Sequence, residues 1–275
     1  MRLYQNGENR VKIAVSGKGG VGKTLVSGVL ACFFAGKGLK TIAIDADPSP
    51  NLALTLGLGL EKTREIVPIS ENKALVESKT STNFSGVYRL SFTVDDIVRD
   101  FAVQTPCNVS LIVMGTVRSM GAGCTCAANA VVRALLRHLV VERDEVVIVD
   151  MEAGVEHLGR GTARNVDVML IVADSGIKSL ETAKHIYQLA KDAGIERVFL
   201  VGNKVAGELQ KEAVQGFAED NCLEVLQFVP FDQQVIDAET RGDTPLQCEE
   251  SPAIQTIRDL GERLIQLKQC PHSVE

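Results

Sequence analysis

No stretch of this chain of 275 residues approaches the ~18–20 consecutive apolar residues that a membrane-spanning helix requires, so no membrane partner is expected. The opening segment, Met1 to Arg10, lacks the apolar core of a secretory signal, and nothing suggests export. Positive charge is in deficit: 29 Lys and Arg against 35 Asp and Glu leave a net charge of −6, which argues against a nucleic-acid-binding surface. Internal repeats, low-complexity tracts and linker-like segments are absent. One domain over 1–275 is therefore the simplest organisation, and 45% hydrophobic with 23% charged residues suffices for one large core. The seven cysteines are odd in number. In a cytoplasmic protein, which is the expected setting, they read as buried thiols with a metal site and not as a disulfide framework.

Short, continuous apolar strands alternate with helical patterns. The runs Val11–Ser16, Thr41–Ile44, Val109–Val113, Val146–Val149, Val168–Val172, Val198–Val201 and Val225–Val229 predict a mostly parallel central sheet covered on both faces, an α/β fold built from βαβ units. From 61 to 106 the pattern loosens, which reads as an insertion within the domain. The first ten residues are expected to be flexible.

The segment Gly17-Lys18-Gly19-Gly20-Val21-Gly22-Lys23-Thr24 satisfies a phosphate-binding loop in its required strand–loop–helix context. Its glycines let backbone N–H groups converge on phosphate, and the following helix adds unpaired donors and the positive end of its dipole. Lys23 is expected to neutralise the β- and γ-phosphates of a nucleotide and Thr24 to ligate Mg²⁺. Lys18 is not needed for this; at the second loop position its side chain is expected to point away from its own site, toward a nucleotide in a neighbouring subunit.

Two acidic segments follow strands, where open α/β sheets place their chemistry. In Asp45-Ala46-Asp47-Pro48, a carboxylate beside Mg²⁺ and a γ-phosphate can order the attacking water or hold the metal's water shell. Asp150, at the start of Asp150-Met151-Glu152-Ala153-Gly154, ends a strand of aliphatics, and Gly154 is expected to leave a backbone N–H free for the γ-phosphate. Glu156, His157 and Arg160 continue this loop. Further along, Gly121-Ala122-Gly123-Cys124-Thr125-Cys126 places two thiols one residue apart before a helical run, a setting that favours thiolates and metal binding. One chain supplies half of an S₄ set, and a two-fold dimer completes it. Cys32, in an apolar helix, reads as core packing, and Cys107, Cys222 and Cys248 have no ligand-spaced neighbour.

With Lys18 and Lys23 in one loop, the chain resembles the deviant Walker A ATPases, P-loop proteins with a three-layer fold of about seven to eight strands that form nucleotide-sandwich homodimers. Within them, Cys124-x-Cys126 together with Asp150 to Gly161 resembles the CooC-type nickel-insertion ATPases of carbon monoxide dehydrogenase maturation. The resemblance implies ATP hydrolysis with Lys18, Lys23 and Asp47 in catalytic roles: Lys18 on the partner's nucleotide, Asp47 activating water, and Asp45 and Asp150 near the Mg²⁺. It implies that Gly17 to Leu25, Asn203, Lys204, Pro230 and Asp232 bind ATP or ADP, with Asn203 at the adenine edge. It further implies Ni²⁺ or Zn²⁺ bridging Cys124 and Cys126 of two subunits, and a nickel client, carbon monoxide dehydrogenase or the related acetyl-CoA synthase. Leu25 departs from the pattern: many relatives carry Thr or Ser there, and its loss removes one hydrogen bond worth about 1 kcal/mol. Rival readings are a nitrogenase iron protein-like electron donor, an iron–sulfur scaffold ATPase and a partition or septum-site ATPase. For the last, Ile254, Ile257, Leu260, Leu264 and Leu267 form an apolar stripe, which with its mixed flanking charges reads as a helix packed on the sheet.

Overall fold

The computed structural model describes residues 11–72, 94–115, 132, 134–140, 145–155, 158 and 162–269. Cys124 and Cys126, the loop charges Glu156, His157 and Arg160, and the first ten residues lie outside that set. Among the described residues one sheet of eight strands runs in the order β3-β4-β2-β5-β1-β6-β7-β8. Its strands are β1 (Lys12–Gly17), β2 (Thr41–Ala46), β3 (Val103–Gln104), β4 (Val109–Val113), β5 (Val146–Met151), β6 (Val168–Ala173), β7 (Val198–Val205) and β8 (Glu224–Pro230). All neighbours pair parallel except β3, which lies antiparallel on β4 at one edge. The α/β architecture expected from the apolar runs is present, and β1, β2, β5 and β6 are buried along their whole length, as strands covered on both faces must be.

Alternation along each strand divides the core into two layers. Ile13, Val15, Ala43, Val146 and Ile148 face one side, against α1 (Lys23–Gly36). Ala14, Ile42, Ile44, Val147 and Val149 face the other. There they meet the helical residues 134–140 and, after the short helices α2 (Leu52–Thr55) and α3 (Leu60–Glu65), α4 (Val94–Phe101) and the helix at 134–140, numbered α5, the helix α6 (Ile177–Asp192). α7 (Glu208–Asp220) covers β7 and β8. β1 sits between β5 and β6, so the chain leaves it toward β2 on one side and β6 lies on the other. That divergence opens a crevice beyond the C-terminal strand ends, directly at the glycine-rich loop.

After α8 (Gln233–Arg241), the last helix, α9 (Pro252–Gln269), packs against α1 and β8. Ile254, Ile257, Leu260 and Leu264 are all buried, so the stripe read from the sequence is spent inside the fold and does not present a membrane-binding face. Arg263 Nη1 donates to the Leu226 carbonyl at 2.6 Å and Arg197 Nη1 to that of Leu267 at 3.1 Å, fastening the helix to the sheet. No helix of the described residues is long and apolar enough to cross a membrane.

The cysteine reading is corrected at one point. Cys32 on α1 and Cys107, in the turn between β3 and β4, form a disulfide with Cα atoms 5.5 Å apart. They stand 75 residues apart in sequence, so no spacing signal announced the pair; the topology creates it by laying the edge hairpin over α1. Cys222 and Cys248 are free. Closing so long a loop restricts the unfolded chain, and reduction is expected to cost about 2–4 kcal/mol. Urea unfolding with and without reductant checks this: the midpoint should fall on reduction, and a Cys107→Ser variant should show the lower midpoint under both conditions.

Candidate active site

The glycine-rich loop joins β1 to α1 at the sheet centre. Gly22 sits at φ 97°, and a Cβ there would collide with Asn203 Nδ2, so the approach of loop to β7 requires glycine. Two β7 side chains hold the loop from outside: Asn203 Nδ2 donates to the Val21 carbonyl at 2.7 Å and Lys204 Nζ to that of Gly20 at 2.8 Å. Lys204 adopts a left-handed backbone at φ 59°, where β7 and β8 shift register. The sequence placed both residues after the strand; the structure places them within it. Lys23 is buried, its ammonium 3.5 Å from the Lys18 carbonyl and 3.8 Å from Asp47 Oδ2. Lys18, Gly19 and Gly20 are exposed.

Asp45 and Asp150 end neighbouring parallel strands as register partners. Both share the face of Ala43 and Ile148, toward α1. Burial pushes the Asp45 carboxyl up to about 6, although backbone N–H groups of Leu52 and Asp47 bond to it at 2.9 and 3.2 Å. Burial pushes Asp150 up to about 7, and the nearby Asp45 charge adds to the rise; Thr24, Lys23 and Ser27 oppose it. Ser27, one turn into α1, donates to Asp150 Oδ1 at 3.1 Å, while Oδ2 is buried with no hydrogen-bond partner. An orphaned carboxylate oxygen beside a threonine hydroxyl and a second carboxylate is a set of hard oxygen donors that suits Mg²⁺. Among the described residues no group of three or more His, Cys, Asp or Glu forms a metal cluster.

A cavity of about 430 Å³ runs from the loop to β8 and α8. Gly20, Gly22, Lys23, Thr24, Leu25 and Asp47 line one end, and Pro230, Phe231, Val235 and Ile236 the other, with Asn203 and Lys204 between. Phe231 and Ile236 are 44% and 37% exposed. Large apolar side chains open to a cleft suit a flat aromatic base. The Asp232 carboxylate is already committed as the N-cap of α8: it accepts from Gln234 N at 2.9 Å, Ala253 N at 3.4 Å and the Ser251 hydroxyl. These bonds outweigh the opposing effect of desolvation and hold it below the usual carboxylate range.

One expectation needs correction. The Gly154 N–H is not free, because it donates to Ser16 Oγ at 3.1 Å. Asn203 is only 2% exposed and commits one N–H of its amide to the loop, which leaves its second N–H and its oxygen for a base. Ser16 and Ser27 were missed: a lone serine in an apolar strand or helix carries no spacing signal, although a small hydroxyl in such a run is itself a cue for a buried partner.

A strand–loop–helix phosphate cradle, two carboxylates at the ends of adjacent strands and a cleft with an apolar end together define a P-loop ATPase. The chain belongs to the CobQ/CobB/MinD/ParA nucleotide binding domain family, whose model matches residues 12–246. It is 41% identical over 261 residues to the ATP-binding protein MJ0823 of Methanocaldococcus jannaschii, covering 94% of this chain and 99% of that one. It is also 41% identical over 236 residues to the carbon monoxide dehydrogenase accessory protein CooC of Rhodospirillum rubrum, covering 84% and 88%. Among solved structures, MinD in the MinC:MinD complex of Aquifex aeolicus shares the fold with a TM-score of 0.68 at 19% identity, covering 96% and 98% of the two chains.

Both buried carboxyls titrate above their ordinary value of 3.8. Between about pH 4 and about pH 7 the folded state therefore holds more protons than the unfolded one, and the stability of the nucleotide-free protein falls as pH rises through that window. Asp150→Asn removes one charge at nearly constant shape. It is expected to flatten this loss and to raise unfolding free energy at about pH 8 by about 1–3 kcal/mol. Urea midpoints of both proteins at about pH 5 and pH 8 decide it.

Proposed function

We propose that this chain is a cytoplasmic, homodimeric ATPase that carries nickel (or zinc) between the Cys124-x-Cys126 loops of two subunits and serves nickel insertion into carbon monoxide dehydrogenase or the related acetyl-CoA synthase. The observation that carries the reading is the similarity to CooC over most of both chains, joined to two thiols one residue apart. The cleft and its charges are consistent with the ATPase half of this function, and residues 61–106 belong to the same domain as an insertion whose end, β3, joins the sheet edge.

In this reading the triphosphate of ATP follows the loop, and the buried Lys23 ammonium exchanges its weak contact with Asp47 for the β- and γ-phosphates. Asp47, released from Lys23 and 23% exposed, accepts a hydrogen bond from the water whose oxygen attacks the γ-phosphorus. The β–γ bridging oxygen leaves with the bonding electrons on ADP. Thr24, Asp45 and Asp150 would hold Mg²⁺, which when bound neutralises charge on the triphosphate. The base enters the apolar end, against Phe231 and Ile236, with the Asn203 oxygen at its edge; Pro230 and the Asp232 cap shape that wall. Leu25 brings its first-turn backbone N–H to the phosphates but no side-chain hydroxyl. Lys18, exposed at the loop tip, crosses to the partner's nucleotide and makes hydrolysis depend on the dimer. Thiolates of Cys124 and Cys126 bind the transported ion, two from each subunit.

Metal stoichiometry tests the cargo. The reduced protein is expected to bind about one Ni²⁺ or Zn²⁺ per dimer, and a Cys124→Ser/Cys126→Ser variant none, with size exclusion showing whether metal changes assembly. Absence of metal in both proteins would move the assignment to a partition-type ATPase, and a brown, iron-containing protein to an electron donor. A Lys18→Ala variant is expected to bind ATP while losing ATP-dependent dimerisation, as read by size exclusion with a non-hydrolysable analogue; retained dimerisation would remove the trans role of Lys18.

A further inference from the structure

Ser16 is the last residue before the glycine-rich loop, and it is fully buried. Along β1, Ile13 and Val15 face α1 and Ala14 faces the opposite layer; by the two-residue period Ser16 shares the face of Ala14. A hydroxyl buried there needs partners, and all of them come from the loop after β5. Ser16 Oγ donates its proton to the Glu152 carbonyl at 2.7 Å, with the Gly154 carbonyl a second acceptor at 3.2 Å, and it accepts the Gly154 N–H at 3.1 Å. One hydroxyl thus binds both ends of a three-residue turn. Gly154 itself is buried at φ 143°, a conformation that residues with a Cβ rarely adopt.

We infer that Ser16 is a positioning residue that latches the loop after β5 in its nucleotide-free place, by occupying the Gly154 N–H that a γ-phosphate would take. The inference rests on the reading of Gly154 as a γ-phosphate ligand. ADP has no group to displace the hydroxyl and leaves the latch shut. A nucleotide with a γ-phosphate replaces a neutral hydrogen bond with a charge-assisted one, and the loop moves off β1. Ser16 therefore sets how strongly the protein distinguishes the two nucleotides, without itself touching either.

The test uses the full chain with Mg²⁺ and either ADP or the non-hydrolysable analogue AMPPNP. In Ser16→Ala the analogue is expected to bind about 3- to 10-fold more tightly, the worth of one lost competing hydrogen bond, while ADP affinity stays within about twofold. Ser16→Thr restores the hydroxyl and is expected to keep the unmodified ratio. Equal weakening of both nucleotides by the alanine variant, or a threonine variant that behaves like alanine, would reduce Ser16 to a packing role and overturn the latch. The unmodified protein supplies a measurement independent of folding defects: the Gly154 amide resonance should shift with AMPPNP and stay in place with ADP. A resonance unmoved by AMPPNP overturns the assignment of Gly154 to the γ-phosphate and the latch with it. A resonance that moves while the Ser16→Ala affinity ratio is unchanged overturns the latch alone.

Discussion

Two carboxylates side by side at the ends of β2 and β5 are the constraint around which this molecule is arranged. Asp45 and Asp150 are register partners on adjacent central strands, each almost without contact to water. Desolvation and mutual repulsion both oppose their ionisation. The surroundings relieve that cost only in part: backbone N–H groups serve Asp45, Ser27 serves one oxygen of Asp150, and the Lys23 charge favours ionised Asp150 from the start of α1. A site left short of positive charge in this way is built to accept a cation together with its anionic ligand. The glycine-rich loop completes the arrangement by bringing a helix N-terminus to the same point.

The loop that receives the phosphates is held from several directions before any nucleotide arrives. Asn203 and Lys204 grip its carbonyls from β7, and Ser16 at its base grips the loop after β5. These bonds span β5, β1 and β7, so the cradle and the acidic loop after β5 form one connected unit. Preorganisation of this kind lowers the ordering cost that binding would otherwise carry. It also means that a change at one acidic loop is felt at the base of the cradle.

Much of this was legible in the sequence, for definite reasons. Strands buried on both faces need unbroken aliphatic runs, and seven of the eight were visible as such; β3, two residues long and antiparallel, has too few residues to form a pattern. The loop, Asp45 and Asp150 announce themselves because their chemistry needs fixed residue types at fixed distances from strand ends. Ser16, Ser27 and the Cys32–Cys107 pair do not, because their partners are assembled only by the folded topology, over separations of 136, 123 and 75 residues. Asp232 shows the converse: a carboxylate in a functional-looking turn whose hydrogen bonds are largely used to start α8 and anchor the entry to α9.

The Cys32–Cys107 bond joins the P-loop helix to the edge hairpin, and so turns the backbone between them into a covalent ring. β2, Asp45, Asp47 and the short helices α2 and α3 all lie on that ring, whereas Lys23 and Asp150 lie outside it. A single peptide bond cut within the ring leaves the two pieces joined, so a nicked molecule stays one covalent species, heavier by one water, until the sulfurs are parted. The segment that carries Asp45 and Asp47 is thus part of a closed circuit, anchored at one end on the helix that follows the glycine-rich loop and at the other on the margin of the sheet.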